Sequence, residues 1–244
     1  MYSTRATKAA KNNADLCDCV CRSHGVPGEF HGHMWANRRS VPPFYPNAVT
    51  LDDSKPIEQY QMIRELTNIG IPGRWAVKDS FETLDLTSEG FRELFTRQWI
   101  YLPGTSKLRE AHHEAVRWKK VKDAKELIDW ERAWRGNNPE GKRIFLPPLL
   151  EDHRVIIVAV FREDSIVAGC IGNRSNESVG ISNIFLPNEK SLEFRAGCVA
   201  AILDWSQGLP VVGYESGEDL MAMGALGFES VGPLRVWIKT DSCV

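Results

Sequence analysis

Apolar and polar positions along the chain alternate in some stretches and recur at helical spacing in others, a mixture that predicts an α+β protein. Residues 5–24 place small or apolar side chains at Ala6, Ala9, Ala10, Ala14, Leu16, Val20 and Cys21, and Gly25 and Pro27 close that helix. In "SVPPFYPNAVTL" the prolines hold an extended approach to a short strand, "NAVTL". Asp52, Asp53 or Ser54 caps the next helix and Pro56 sits near its first turn. Ile57, Tyr60, Ile63 and Leu66 then share one face until Gly70 and Pro72. "GRWAVKDSFETLDL" returns to a strand pattern, and "TSEGFRELFTRQWIYL" predicts a capped helix followed by a short extended run.

The charged, turn-rich stretch "PGTSKLREAHHEAVRWKK" reads as a linker, with His112 and His113 on a solvated surface helix and "RWKKVK" as a solvated helix start. A second unit begins at "DAKELIDWERAWRG", where Leu127, Trp130, Ala133 and Trp134 align at three- and four-residue steps. Three strand-like runs follow in "RVIIVAVFREDSIVAGCIGNRSNESVGISNIFLP", separated by the turn chemistry of "REDS" and "NRSNES", so this stretch predicts an antiparallel meander. A helix from about Ser191 to Trp205, the strand "PVVGYE", a helix capped within Ser216 to Asp219 and the strand "PLRVWIK" complete the chain. The strand, acidic turn, helix and Trp/Val strand of 211–239 echo those of 47–81, a weak internal symmetry that predicts two units, 1–105 and 106–244.

Composition narrows the function classes. The chain has 244 residues, a net charge of −2 and a pI near 6.3, so charge gives no overall pull toward nucleic acid. No run approaches the ~20 apolar residues of a membrane helix, and "MYSTRATKAAKNNADLCDCV" lacks a signal-peptide core, which leads us to expect a cytoplasmic protein with no membrane partner. Cys17, Cys19 and Cys21 precede His24, His31 and His33, residue types that zinc accepts. No C-x-x-C pair faces a second such pair, so packing of a helix is expected and no metal site is assigned. P-loop, dinucleotide-fingerprint, G-x-S-x-G and H-E-x-x-H patterns are absent from the sequence.

The order helix, meander, helix, strand, helix, strand over 118–239, with "FLP" before the first crossing helix and "ALGFESVG" before the last strand, resembles the GNAT superfamily of N-acyltransferases. The resemblance implies a mixed central sheet flanked by helices, preceded by a partial GNAT-like α/β unit. It also implies acetyl-CoA or another acyl-CoA as co-substrate, with a small-molecule or macromolecular amine as acceptor. "GISNIF" and "VVGYE" would splay so that the thioester arm pairs along Ile184, Phe185 and Leu186. The pyrophosphate would rest near "RAGCVA", that is Arg195, Ala196, Gly197 and Cys198, although Cys198 stands where the family has Gly. The family's Tyr acid is replaced by Met223; Tyr214 and Glu215 are the substitutes expected, and Asn183 with Ser182 would face the acceptor. Tyr45, Trp75 and Asp79 would line a substrate pocket between the units. Three readings stay open: an acyl-CoA transferase, a transferase using aminoacyl-tRNA, and a silent GNAT-like binding module.

Overall fold

The computed structural model describes residues 4–107, 116–136, 141–188 and 191–239. His112 and His113 lie outside the described residues. The elements in chain order are α1 (Thr4–Ser23), β1 (Glu29–Phe30), β2 (Met34–Ala36), β3 (Ala48–Thr50), α2 (Pro56–Ile69), β4 (Trp75–Asp79), β5 (Phe91–Leu102) and β6 (Arg117–Lys120). They continue with α3 (Ala124–Arg135), α4 (Pro148–Glu151), β7 (Val155–Arg162), β8 (Ser165–Arg174), β9 (Val179–Phe185), α5 (Ser191–Ser206), β10 (Val211–Glu215), α6 (Gly217–Ala225) and β11 (Glu229–Lys239).

The strands form one sheet, in the order β1-β2-β3-β4-β11-β5-β10-β9-β8-β7-β6. Helices cover both faces. Small residues let α1 lie close to the sheet: Ala6, Ala9 and Ala10 pack with Trp99, Val212 and Leu234, while Leu16 and Val20 join Trp130 of α3 and Leu149 of α4. On the opposite face, Ile63 and Leu66 of α2 pack on Val77 and Trp237, and Val199 and Ile202 of α5 join Met223 of α6 over Ile181 and Val211. The mixed sheet flanked by helices agrees with the expected fold class.

Residues 87–102 depart from the expected helix. After a 3-10 turn at Thr87–Glu89, Phe91–Leu102 is a twelve-residue strand, β5, that pairs antiparallel with β10 on one side and β11 on the other. Its polar middle, Arg92 to Arg97, has β11 beside it but not β10, which pairs only from Gln98 on, and it is mostly exposed, so its side chains show no two-residue alternation of buried and exposed positions. The basic run at 117–120 is likewise a strand, β6, at the sheet's edge, where charged side chains discourage pairing with another chain. Because β5 separates β10 from β11, strands from 1–105 and 106–244 alternate within one hydrogen-bonded sheet.

Candidate active site

The parallel strands β9 and β10 are paired only at Val211↔Val179 and Val212↔Gly180, although they run on to Phe185 and Glu215. Beyond that point they part. Two local features hold the fork. Register along β8 jumps between Gly169↔Phe185 and Ile171↔Ser182, a bulge in β9 at whose centre Asn183 has φ +51°, a left-handed conformation that Asn tolerates better than most residues. Gly180 is the second feature: a Cβ there would lie 2.1 Å from Asn12 Oδ1, so only glycine lets α1 approach. Asn12 Nδ2 donates to the carbonyls of Asn173 and Ser178, and Asn173 Nδ2 donates back to the Asn12 carbonyl at 2.9 Å. These bonds, all buried, lock α1 across the base of the fork.

A cavity of about 290 Å³ opens between the separated strands and α1, bordered by Asn13, Tyr45, Lys78, Ser182, Asn183, Tyr214 and Glu215 among others. Tyr214 packs edge-on against Trp99, with ring centroids 5.6 Å apart, on the α1 face. Successive strand residues point to opposite faces, so Glu215 turns toward α5 and α6. Burial first, then the neighbouring Asp219 carboxylate, pushes the Glu215 carboxyl up to about 7, against the opposing pull of Arg195 and Arg97. That value suits a group that takes and returns protons at neutral pH.

Tyr45 lies in the same cavity. Its hydroxyl is buried without a hydrogen-bond partner among the described residues. Burial drives its phenol well above the ordinary value, with Cys17 and Tyr214 adding to the rise and the Asn183 amide opposing it. Trp75 and Asp79 point elsewhere. Trp75 sits edge-on to Phe91, centroids 4.8 Å apart, within the α2-side core, and Asp79 accepts backbone N–H bonds from Phe81, Thr83 and Leu84, which anchors the turn after β4. Desolvation raises the Asp79 carboxyl despite those bonds.

The residue of β4 that borders the cavity is Lys78, which sequence reading passed over. The alternation of Trp75, Val77 and Asp79 toward α2 assigns Lys78 to the other face, so the signal was present in the strand pattern.

Ile184 and Leu186 pack toward α5, and Phe185 lies edge-on to Trp130 at 5.3 Å. "RAGCVA" falls inside α5 rather than at its start. The Arg195 guanidinium forms an ion pair with Asp219 of α6 and is buried, Gly197 lies against the Trp118 ring, and Cys198 is fully buried beside Cys170. Ala196 belongs to the same helical turn. In α1, Cys17 and Cys21 enter one core cluster and Cys19 another. Burial raises the Cys17 thiol to about 11 and the Cys19 thiol to about 12. Among the described residues no group of three His, Cys, Asp or Glu side chains is placed to hold a metal, and no helix is long and apolar enough to cross a membrane.

No family model matches the chain, and no curated protein matches it. Solved structures do. A GCN5-related N-acetyltransferase from Kribbella flavida is similar over 97% of this chain and 96% of its own, with a TM-score of 0.63 at 14% identity. A putative acetyltransferase of the GNAT family from Novosphingobium aromaticivorans covers 96% of this chain and 99% of its own, with a TM-score of 0.58 at 8% identity. The C-terminal domain of a putative lysylphosphatidylglycerol synthetase from Agrobacterium fabrum covers 96% and 93%, with a TM-score of 0.53 at 10% identity. Together with the fork between β9 and β10, these likenesses show that the chain has the fold of the GCN5-related N-acetyltransferases.

Proposed function

We propose that the protein transfers an acyl group from an acyl-CoA thioester to an amine, and the observation that carries this reading is the early end of β9–β10 pairing after Gly180 and Val212. The edge of β9 that faces the gap, from Ser182 to Phe185, leaves backbone groups that an amide-bearing arm can pair with as a missing strand would. Such a donor fits the gap by its chemistry as well as its shape. The bulge at Asn183 turns successive backbone N–H groups out of the ladder, where one can stabilise the oxyanion that forms on the thioester carbonyl.

The acceptor nitrogen attacks the carbonyl carbon, a C–N bond forms, and the C–S bond breaks as the tetrahedral intermediate collapses. Glu215 accepts the proton that the nitrogen loses and returns it to the departing thiolate, so the enzyme ends as it began. Tyr214, on the α1 face of the cleft, borders the acceptor. Incubating the protein with acetyl-CoA and a panel of amines, with released thiol and product mass as readouts, tests the reading. No thiol release with any amine, and no heat on titrating acetyl-CoA, would end it.

An aminoacyl donor is the second reading. It draws support from the likeness to the putative lysylphosphatidylglycerol synthetase domain and from "RAGCVA" lying in the helical core. Retention of aminoacyl-tRNA on a filter, with no response to acetyl-CoA, would favour it.

A further inference from the structure

Lys78 combines features seldom found together. It is only 4% exposed, it borders the cavity, and its ammonium makes no ion pair among the described residues. One N–H of Nζ bonds Asn13 Oδ1 at 2.7 Å, and Nζ stands 4.3 Å over the Tyr214 ring. Both contacts orient the charge, and neither neutralises it. A buried cation without a counter-charge is costly to fold, and the cost falls when a ligand brings the anion.

The rest of the lining bears on what that anion is. Lys78 is the one basic side chain bordering the cavity and Glu215 the one acidic side chain, among the described residues; the others are amides, hydroxyls, a thiol, aromatics and aliphatics. Lys78 reaches the cavity from β4, which β11 and β5 separate from β10, and its Nζ caps the ring of Tyr214, the residue before Glu215. A single ammonium matches a singly charged carboxylate, while a doubly charged phosphate would keep an uncompensated charge in the cavity. The volume, about 290 Å³, is that of a small-molecule site rather than a peptide groove.

We infer that the acceptor is an amine that also bears a carboxylate, an amino acid or close analogue, with its carboxylate on the Lys78 ammonium and its amine toward Glu215. This rests on the acyl-transfer reading for the amine's role, but the carboxylate subsite stands on Lys78 alone. Asn13 is a positioning residue here, since it acts by holding Nζ.

The test uses the full chain and paired probes: glutamate, phenylalanine and lysine, each against its own carboxamide. Binding is followed by calorimetry without donor, and transfer by thiol release with acetyl-CoA. At least one acid is expected to bind about tenfold or more tightly than its carboxamide, as a charged hydrogen bond predicts. Lys78→Gln should bring that acid down to the level of the carboxamide and raise its KM with little change in kcat, while donor affinity is unchanged. Equal binding of all acids and carboxamides, no binding of any, or an acid preference that survives in Lys78→Gln overturns the inference. Efficient acylation of neutral amines with no acid preference overturns it and leaves the transferase reading intact. Acid-selective binding with no transfer to any amine does the reverse. Should Lys78→Gln fail to fold, the wild-type acid and carboxamide comparison decides the matter, with Asn13→Ala expected to weaken acid binding selectively.

Discussion

Gly213 of β10 faces the carbonyl of Ile181 in β9 one residue past the last paired position, so closely that a Cβ at 213 would sit 2.9 Å from that oxygen. The notch exists because glycine occupies it. Gly213→Ala is expected to push the strands out of place, at a cost of about 1–3 kcal/mol, and to weaken acetyl-CoA binding about tenfold, a size typical of one lost backbone interaction and its strain. Calorimetry and urea denaturation separate the two effects. Undiminished donor affinity in a destabilised variant would mean that the arm does not lie in this notch.

Glu215 makes the reaction pH-dependent in a set direction. A base must be deprotonated to accept, so kcat/KM should rise as pH passes through about 7 and level off above it. Glu215→Gln should remove that limb and cost about 10²–10⁴-fold in rate. Stability carries the opposite sign. The folded carboxyl holds its proton to a higher pH than the unfolded one, so folding is favoured below about 4.5 and loses ground as pH rises to about 7. Glu215→Gln should therefore be more stable than wild type at pH 8, by up to about 3 kcal/mol, with the difference vanishing in acid. Melting curves across pH check this independently of any substrate.

Sequence pattern disclosed the fold where one face of an element is apolar and the other is wet. The meander of β7 to β9, the α3 stripe of Leu127 and Trp130, and the closing β10-α6-β11 unit were legible for that reason. β5 was not. Phe91, Leu94 and Phe95, with Gln98 and Trp99, mimic helical spacing, and the exposed run from Arg92 to Leu94 breaks the two-residue alternation a strand would show. The place of Tyr214 and Glu215 at a strand's C-terminal end leads to the border of the cavity, where both lie. Asn183's backbone conformation was not legible, since a bulge is a property of pairing between strands. Trp75 and Asp79 were assigned to the pocket in place of Lys78, a shift of one residue that exchanges the faces of the sheet.

The shared sheet makes a prediction about cutting the chain. β5 pairs with β11 from Glu229↔Tyr101 to Lys239↔Phe91 and with β10 from Val211↔Leu102 to Glu215↔Gln98. A fragment of residues 106–244 would leave β10 with an open edge and β11 without a neighbour, so it should aggregate or show no cooperative melt. Co-expressed with 1–105 it should regain both. A soluble, cooperatively melting 106–244 fragment would show instead that the second unit folds without its inserted strand.

Gly197 distinguishes a phosphate loop from a packing contact. In a phosphate loop, glycine keeps the backbone open to a ligand, and adding a methyl weakens donor binding with little effect on the fold. Here a Cβ at 197 would lie 2.2 Å from Cζ2 of Trp118, whose indole ring lies against α5 from the edge strand β6. The methyl would have to displace a large ring held between α5 and the sheet, which costs about 1–3 kcal/mol and lowers the melting temperature by roughly 3–10 °C. Gly197→Ala is therefore expected to lose stability and to bind acetyl-CoA as tightly as wild type below its melting temperature. A donor affinity reduced more than about tenfold with an unchanged melt, well beyond what a surface substitution does, would return "RAGCVA" to the donor site and require α5 to open at its start.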